Sequence, residues 1–148
     1  METSPLDRPM RSGALVPTIL CIDDDPEVSG AIERQLRDYD VRVIRAFHGM
    51  HGYAEALAHR PDVIVTDLRM PGGDGATILE CLRRNRQTAD IPVIVLTGMR
   101  DRRLRHKLQD LGANAFRYKP LPPNELIQTL RRFVELRECN MELTCSGG

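Results

Sequence analysis

From residue 19 onward the chain alternates short apolar runs with stretches in which apolar residues recur every three or four positions. The runs are 19–22, 41–44, 63–65, 93–96 and 115–118. Three of them are continuous β-branched or leucine segments bounded by Pro or Asp, the pattern of strands covered on both faces. The second and fifth are mixed with Arg42, Arg45 and Arg117, which suits the edges of a sheet. Between the runs, Val28, Ile32, Leu36 and Tyr39 keep helical spacing, as do Tyr53 and Leu57, then Ile78, Leu79 and Leu82. Leu104, Leu108 and Leu111 follow, and Leu126, Ile127, Leu130, Phe133 and Val134 form a final broad stripe. Asp25-Pro26 reads as an N-cap followed by Pro at the first helical position, and Gly112 as a helix stop. A strict (βα)₅ alternation predicts an α/β fold: a doubly wound, parallel five-stranded sheet with right-handed crossovers and helices on both faces. Such sheets gather their chemistry at the carboxyl ends of the strands.

Residues 1–16 are rich in Pro, Ser, Arg and Met without periodicity and read as a loose lead-in, residues 17–138 as the folded domain, and residues 139–148 as a tail. Arg8 and Arg11 ahead of a fairly apolar run resemble a secretion signal. However, Pro17 and Thr18 interrupt the run and acids follow at once, so a cytoplasmic protein is expected. No run reaches the ~18 apolar residues of a spanning helix. The 21 basic and 21 acidic residues cancel, so no global charge points to nucleic acid. Cys21, Cys81, Cys139 and Cys145 form no C-x-x-C pair and read as reduced thiols.

Three consecutive acids, Asp23, Asp24 and Asp25, stand at the end of the first run. Like charges about 4 Å apart repel by ~1 kcal/mol in water and ~4 kcal/mol at a partly screened surface, so a cation or a turn must justify them. Asp67 ends the third run, Thr97 the fourth and Lys119 the fifth, and the fold class brings all of these to one rim. Oxygen-only ligands of this kind suit Mg²⁺, which binds through few carboxylates and keeps several waters. A carboxylate beside such an ion can act as a nucleophile toward phosphorus. Lys119 and Thr97 are then placed to hold phosphoryl oxygens.

Four segments, ILCIDDDPEV, DVIVTDLRMPGGDG, PVIVLTG and FRYKP, together resemble the receiver domain of bacterial two-component response regulators over roughly residues 18–138. The resemblance implies a flavodoxin-like strand order 2-1-3-4-5. It implies that Asp67 accepts a phosphoryl group from a histidine kinase, a phosphotransfer protein or a small donor. It also implies that Asp23 and Asp24 hold Mg²⁺, with Asp67 and the Arg69 backbone carbonyl completing the protein ligands, while Asp25 is left as the N-cap. Thr97 and Phe116 would move together on phosphorylation and remodel the face of the fourth helix, fifth strand and fifth helix, through which such domains can form homodimers. The Lys119-Pro120 peptide would be cis. Such a protein is a phosphoacceptor switch that at most catalyses its own phosphorylation and dephosphorylation, not an enzyme acting on other substrates. Arg69 and Met99, two positions past Asp67 and Thr97, carry no carboxylate or amide to orient an attacking water, which predicts slow self-dephosphorylation.

Two other readings compete. Asp23-x-Asp25 after an apolar strand also resembles the nucleophile pair of haloacid-dehalogenase-like phosphatases, but the acidic motif they need after the lysine is missing, with only Glu125 nearby, and no cap insertion is evident. A receiver-like binding module that is never phosphorylated usually lacks a metal acid or the acceptor, and none is missing here. The segment from Arg100 to Lys107 holds five Lys or Arg against one Asp. That reads either as a solvated face or as a surface for an acidic partner. Without a helix-turn-helix or similar reader, direct nucleic-acid binding is not expected. His48, His51, His59 and His106 lack mutual ligand spacing and read as surface residues.

Overall fold

The computed structural model of the chain describes residues 10–11, 14–68 and 75–139. A two-residue antiparallel pair, Met10–Arg11 with Ala14–Leu15, precedes the domain. The domain then runs β1 (Thr18–Ile22), α1 (Pro26–Gln35), β2 (Arg42–Ala46), α2 (Gly49–His59), β3 (Val63–Thr66), α3 (Gly75–Arg84), β4 (Val93–Thr97), α4 (Arg102–Asp110), β5 (Ala115–Tyr118) and α5 (Pro123–Leu130). All five strands are parallel, in the order β2-β1-β3-β4-β5, the order implied by the receiver resemblance. The two strands with interior arginines are the edges.

Strand alternation sorts the core into two layers. Leu20, Ile22, Ile64, Val93, Val95 and Phe116 point to the face covered by Ala56 of α2, Ile78, Leu79 and Leu82 of α3 and Leu108 of α4. Ile19, Cys21, Val63, Val65, Ile94 and Leu96 point to the face covered by Ile32 of α1 and Leu126, Ile127 and Leu130 of α5. Every residue of β3 and β4 is buried, which is why these segments read as unbroken apolar runs. Truncating a fully buried residue such as Ile64 to Ala is expected to cost about 2–5 kcal/mol. At the edges, Arg45 of β2 lays its guanidinium on Ser29 Oγ at 2.9 Å and Pro26 O at 3.0 Å, and Arg117 of β5 donates to Thr129 Oγ1 at 2.9 Å. The edge arginines thus fasten α1 and α5 to the sheet margins.

Helix boundaries follow local chemistry. Asp25 caps α1 by accepting from the Glu27 amide at 2.9 Å, with Pro26 at the first helical position. Gly112, at φ +107°, ends α4 in a Schellman turn: the Ala113 amide reaches Leu108 O and the Gly112 amide reaches Gln109 O.

Two helical stripes prove longer than their helices. Tyr39 lies beyond α1, and Phe133 and Val134 lie beyond α5. After Leu130 the chain tightens into turns, with the Arg132 amide on Thr129 O and the Phe133 amide on Leu130 O. It then folds back so that the Asp40 amide meets Arg137 O, the Cys139 amide meets Asp38 O, and Tyr39 bridges Glu138. These apolar residues still serve the core beneath α1 and α5, from turns rather than helices. Among the described residues no helix is long and apolar enough to cross a membrane.

Candidate functional site

Parallel pairing carries four strand ends to one rim. The Asp23 amide continues the ladder onto Ala46 O at 3.0 Å, and the Asp67 amide onto Ile22 O at 2.9 Å. The Lys119 amide reaches Thr97 O at 2.9 Å, one step past the Thr97–Tyr118 register pair. Backbone hydrogen bonds therefore fix where each of these side chains starts.

The three acids at the end of β1 have separate environments. Asp23 is buried, its Oδ1 accepting from the Asp25 amide at 2.9 Å and its Oδ2 from Lys119 Nζ at 2.8 Å. Asp24 is exposed and Asp25 is spent on the helix cap. On β3, Asp67 Oδ1 accepts from the Leu68 amide at 2.7 Å and Oδ2 from Lys119 Nζ at 3.2 Å. Lys119 thus bridges two carboxylates whose own strands are hydrogen-bonded neighbours. Carboxylate oxygens of Asp23, Asp24 and Asp67 lie within 4.8 Å of one another.

Electrostatics follow from this crowding. Burial pushes the Asp23 carboxyl above its ordinary range, with Asp67 adding to the rise, although the Lys119 ammonium and the Asp25 amide pull the other way. Burial alone would lower Lys119, but the hydrogen bond and charge of Asp23, joined by Asp67, outweigh it and hold the ammonium firmly protonated. The asymmetry is physical: Asp23 is deeper than the lysine and faces another carboxylate, whereas Lys119 faces two acids. One ammonium does not neutralise three clustered acids, and three oxygen donors within a few ångströms suit a hard divalent cation, so the donor set fits Mg²⁺. Behind the rim, burial pushes the Cys21 thiol up to about 12.

Thr97 is buried at the end of β4, its Oγ1 accepting from the Met99 amide at 3.1 Å, which leaves its own proton free to be donated elsewhere. Phe116 is buried in the α2–α3–α4 layer, two residues before Tyr118 on the same strand. The Lys119-Pro120 peptide is cis. Arg69, with its backbone carbonyl, lies outside the described residues, as do residues 70–74.

Two glycines belong to the site that sequence reading did not single out. A Cβ on Gly75 would stand 2.6 Å from Asp67 O and 3.0 Å from Leu68 Cα, so the first turn of α3 presses on the backbone that carries Asp67. A Cβ on Gly52 would meet Ile22 side-chain atoms at 2.5–2.8 Å, just behind Asp23. The glycine-rich stretch before α3 is the signal that could have pointed to Gly75; nothing in sequence marked Gly52. His48 also does more than sit at the surface: its Nδ1 accepts from the His51 amide at 3.2 Å and caps α2.

The sequence profile described as "Response regulator receiver domain" matches residues 19–131. The chain is 39% identical over 123 residues to the DNA-binding dual master transcriptional regulator RpaA of Synechocystis sp., covering 80% of this chain and 49% of that protein. It is 33% identical over 127 residues to the hybrid signal transduction histidine kinase D of Dictyostelium discoideum, covering 86% of this chain and 8% of that protein. This chain therefore spans half or less of the length of these two relatives. Among solved structures, the chemotaxis protein CheY4 of Vibrio cholerae superposes with a TM-score of 0.76 at 27% identity, covering 81% of this chain and all of that one. The receiver domain of a Francisella response regulator gives 0.72 at 28% identity, covering 78% and 94%.

Proposed function

Because this chain belongs to the response regulator receiver family, we propose that it is a phosphorylation-controlled signalling switch in which Asp67 takes a phosphoryl group from a histidine kinase or phosphotransfer protein. The observation that carries the reading is the Lys119 bridge between Asp23 Oδ2 and Asp67 Oδ2 at the rim where Asp24 also stands. A buried ion pair alone would not need a third acid beside it.

In the transfer, an Asp67 oxygen forms a bond to phosphorus while the donor's P–N or P–O bond breaks. The bonding pair leaves with the imidazole, which takes a proton, or with the donor's carboxylate. The Leu68 amide orients the Asp67 carboxylate before the donor arrives. Lys119 then exchanges one carboxylate partner for a phosphoryl oxygen, and Thr97 donates its free proton to another. Mg²⁺, held by Asp23, Asp24 and Asp67 with the Arg69 carbonyl, supplies charge neutralisation for the transferring group when bound. Thr97 and Phe116 convert the modification into a change of surface, because the phosphoryl group favours the arrangement in which Thr97 and Lys119 reach it. That change is delivered to a partner or a second copy at the α4–β5–α5 face. The protein acts on no other substrate.

The test incubates the protein with Mg²⁺ and a small acyl phosphate and reads intact mass. One added phosphoryl group is expected, absent in Asp67→Asn and strongly reduced in Asp24→Asn or with chelator. Labelling of Asp67→Asn to the parent's level would refute the acceptor assignment. Labelling that ignores the chelator would refute the role of the paired acids.

A further inference from the structure

Both ends of the loop that carries the β1 acids are tied to β2. The Asp23 amide donates to Ala46 O at 3.0 Å, and beyond Asp25 the Pro26 carbonyl accepts from Arg45 Nη2 at 3.0 Å. Arg45 Nε also donates at 2.9 Å to the hydroxyl of Ser29, a wholly buried residue one turn into α1. The guanidinium is held from two further sides, by Glu33 Oε1 at 3.4 Å and by the Phe47 ring, whose centroid lies 5.5 Å from Cζ. Covering this guanidinium accounts for the exposed position of Phe47. Asp24 lies between the two ties. Amides and Lys119 orient the carboxylates of Asp23 and Asp67, and the helix cap orients that of Asp25. The exposed Asp24 side chain accepts no hydrogen bond among the described residues, so the backbone alone sets where its carboxylate starts.

We propose that Arg45 is a positioning residue for the Asp24 carboxylate, clamping Pro26 so that the acid loop presents itself to Mg²⁺ in one conformation; this rests on the reading that Asp23, Asp24 and Asp67 hold the ion. A planar guanidinium suits the task because its fork reaches two acceptors, Pro26 O and Ser29 Oγ, in fixed directions, which an ammonium does not. The clamp is separable from charge. A fixed cation near the site repels the ion, so Coulomb's law by itself has the loss of Arg45 tighten Mg²⁺ binding. Loss of the clamp weakens binding instead, because the loop must then be ordered at the moment the ion arrives. The two effects have opposite signs.

The experiment titrates ¹⁵N-labelled, unphosphorylated protein with Mg²⁺ and reads the dissociation constant from the shifting amides of the acid loop. Arg45→Met, which keeps an unbranched chain, should weaken Mg²⁺ about tenfold, and in chelator ¹⁵N relaxation should show added motion at Asp24 and Asp25. Arg45→Lys should fall between Arg45→Met and the parent, and Ser29→Ala, which removes one acceptor, should weaken binding in the same direction. Glu33→Gln should leave it unchanged, because an exposed ion pair contributes little. Arg83→Met controls for general loss of stability. That guanidinium serves Ala89, Ile91, Gly112 and Asn114 near the amino ends of β4 and β5, away from the acids, so its loss should lower the melting temperature without changing Mg²⁺ affinity. Arg45→Met binding Mg²⁺ as tightly as the parent or more tightly, Arg45→Lys matching the parent, or Arg83→Met losing as much affinity would overturn the clamp. Those results leave the metal seat standing, whereas a parent with no Mg²⁺-dependent shifts at Asp23, Asp24 and Asp67 would remove seat and clamp together.

Discussion

Replacing Lys119 with Met removes the ammonium while keeping an unbranched side chain of similar volume, so the loss is electrostatic rather than a cavity. The ammonium donates to Asp23 Oδ2 at 2.8 Å and Asp67 Oδ2 at 3.2 Å, with side-chain exposures of 5% and 13% for the two acids and 26% for the lysine. Hydrogen bonds to charged groups contribute about 1.5–3 kcal/mol each, and part of that returns as the acids protonate or rehydrate, so a net loss of about 2–4 kcal/mol follows. For a domain of this size that is a fall of roughly 10 °C in melting temperature. The same change should raise affinity for Mg²⁺, because the lysine competes for the oxygens that the ion needs. An ion present at a hundred times its dissociation constant returns ~2.7 kcal/mol. Thermal unfolding followed by circular dichroism, in chelator and in excess Mg²⁺, reads both effects, and Asp23→Asn/Lys119→Met should lose less than the two single changes combined. If Lys119→Met melts with the parent in chelator, or gains less from Mg²⁺ than the parent, the description of Lys119 as the resident cation of the acid cluster is wrong.

Stability should also carry the signature of Asp23 in metal-free buffer. Its folded pKa is raised, so its contribution is fully present below its ordinary value of 3.8 and is lost as pH rises through the folded value. The stability of Asp23→Asn relative to the parent should therefore climb with pH in urea titrations upward from about pH 4, and a flat or falling difference would refute the raised pKa. Gly75→Ala should destabilise the domain by about 1–3 kcal/mol and slow labelling at Asp67, since its Cβ would meet Asp67 O at 2.6 Å. Unaltered labelling would show that α3 does not press on the acceptor. The phosphorylated protein, freed of donor, should keep its added mass for minutes or longer, and loss within seconds would mean that Arg69 and Met99 do not leave the attacking water unguided.

The sheet was legible because its strands are buried on both faces: β3 and β4 announce themselves as unbroken apolar runs, and Arg42, Arg45 and Arg117 gave away the edges. The strand-end residues were legible for the same reason, since a parallel sheet delivers every strand terminus to one rim whatever its side chains are. Close approaches of backbone were not legible. Gly49, Gly52 and Ala56 carry α2's buried face with little hydrophobic signal, and Gly52 is required by Ile22, far away in sequence. Helix ends were misread where apolar spacing outlasts the helix: Tyr39, Phe133 and Val134 keep the spacing, but the backbone between 36 and 40 and after 130 is drawn into mutual pairing. The basic stretch was visible as composition, while the stacking of Arg100 and Arg105 on rings supplied by β5 was not, because it joins elements that sequence leaves separate.

The central claim is that one carboxylate, Asp67, takes up phosphorus. Treating the donor-exposed protein with borohydride reduces an aspartyl phosphate to homoserine, releasing phosphate and leaving a mark that survives proteolysis. Peptide mass mapping should find homoserine at position 67 in the Mg²⁺ sample and aspartate there in the chelated one. Homoserine at position 23 or 24, or none anywhere in a folded protein exposed to donor and Mg²⁺, would contradict the account.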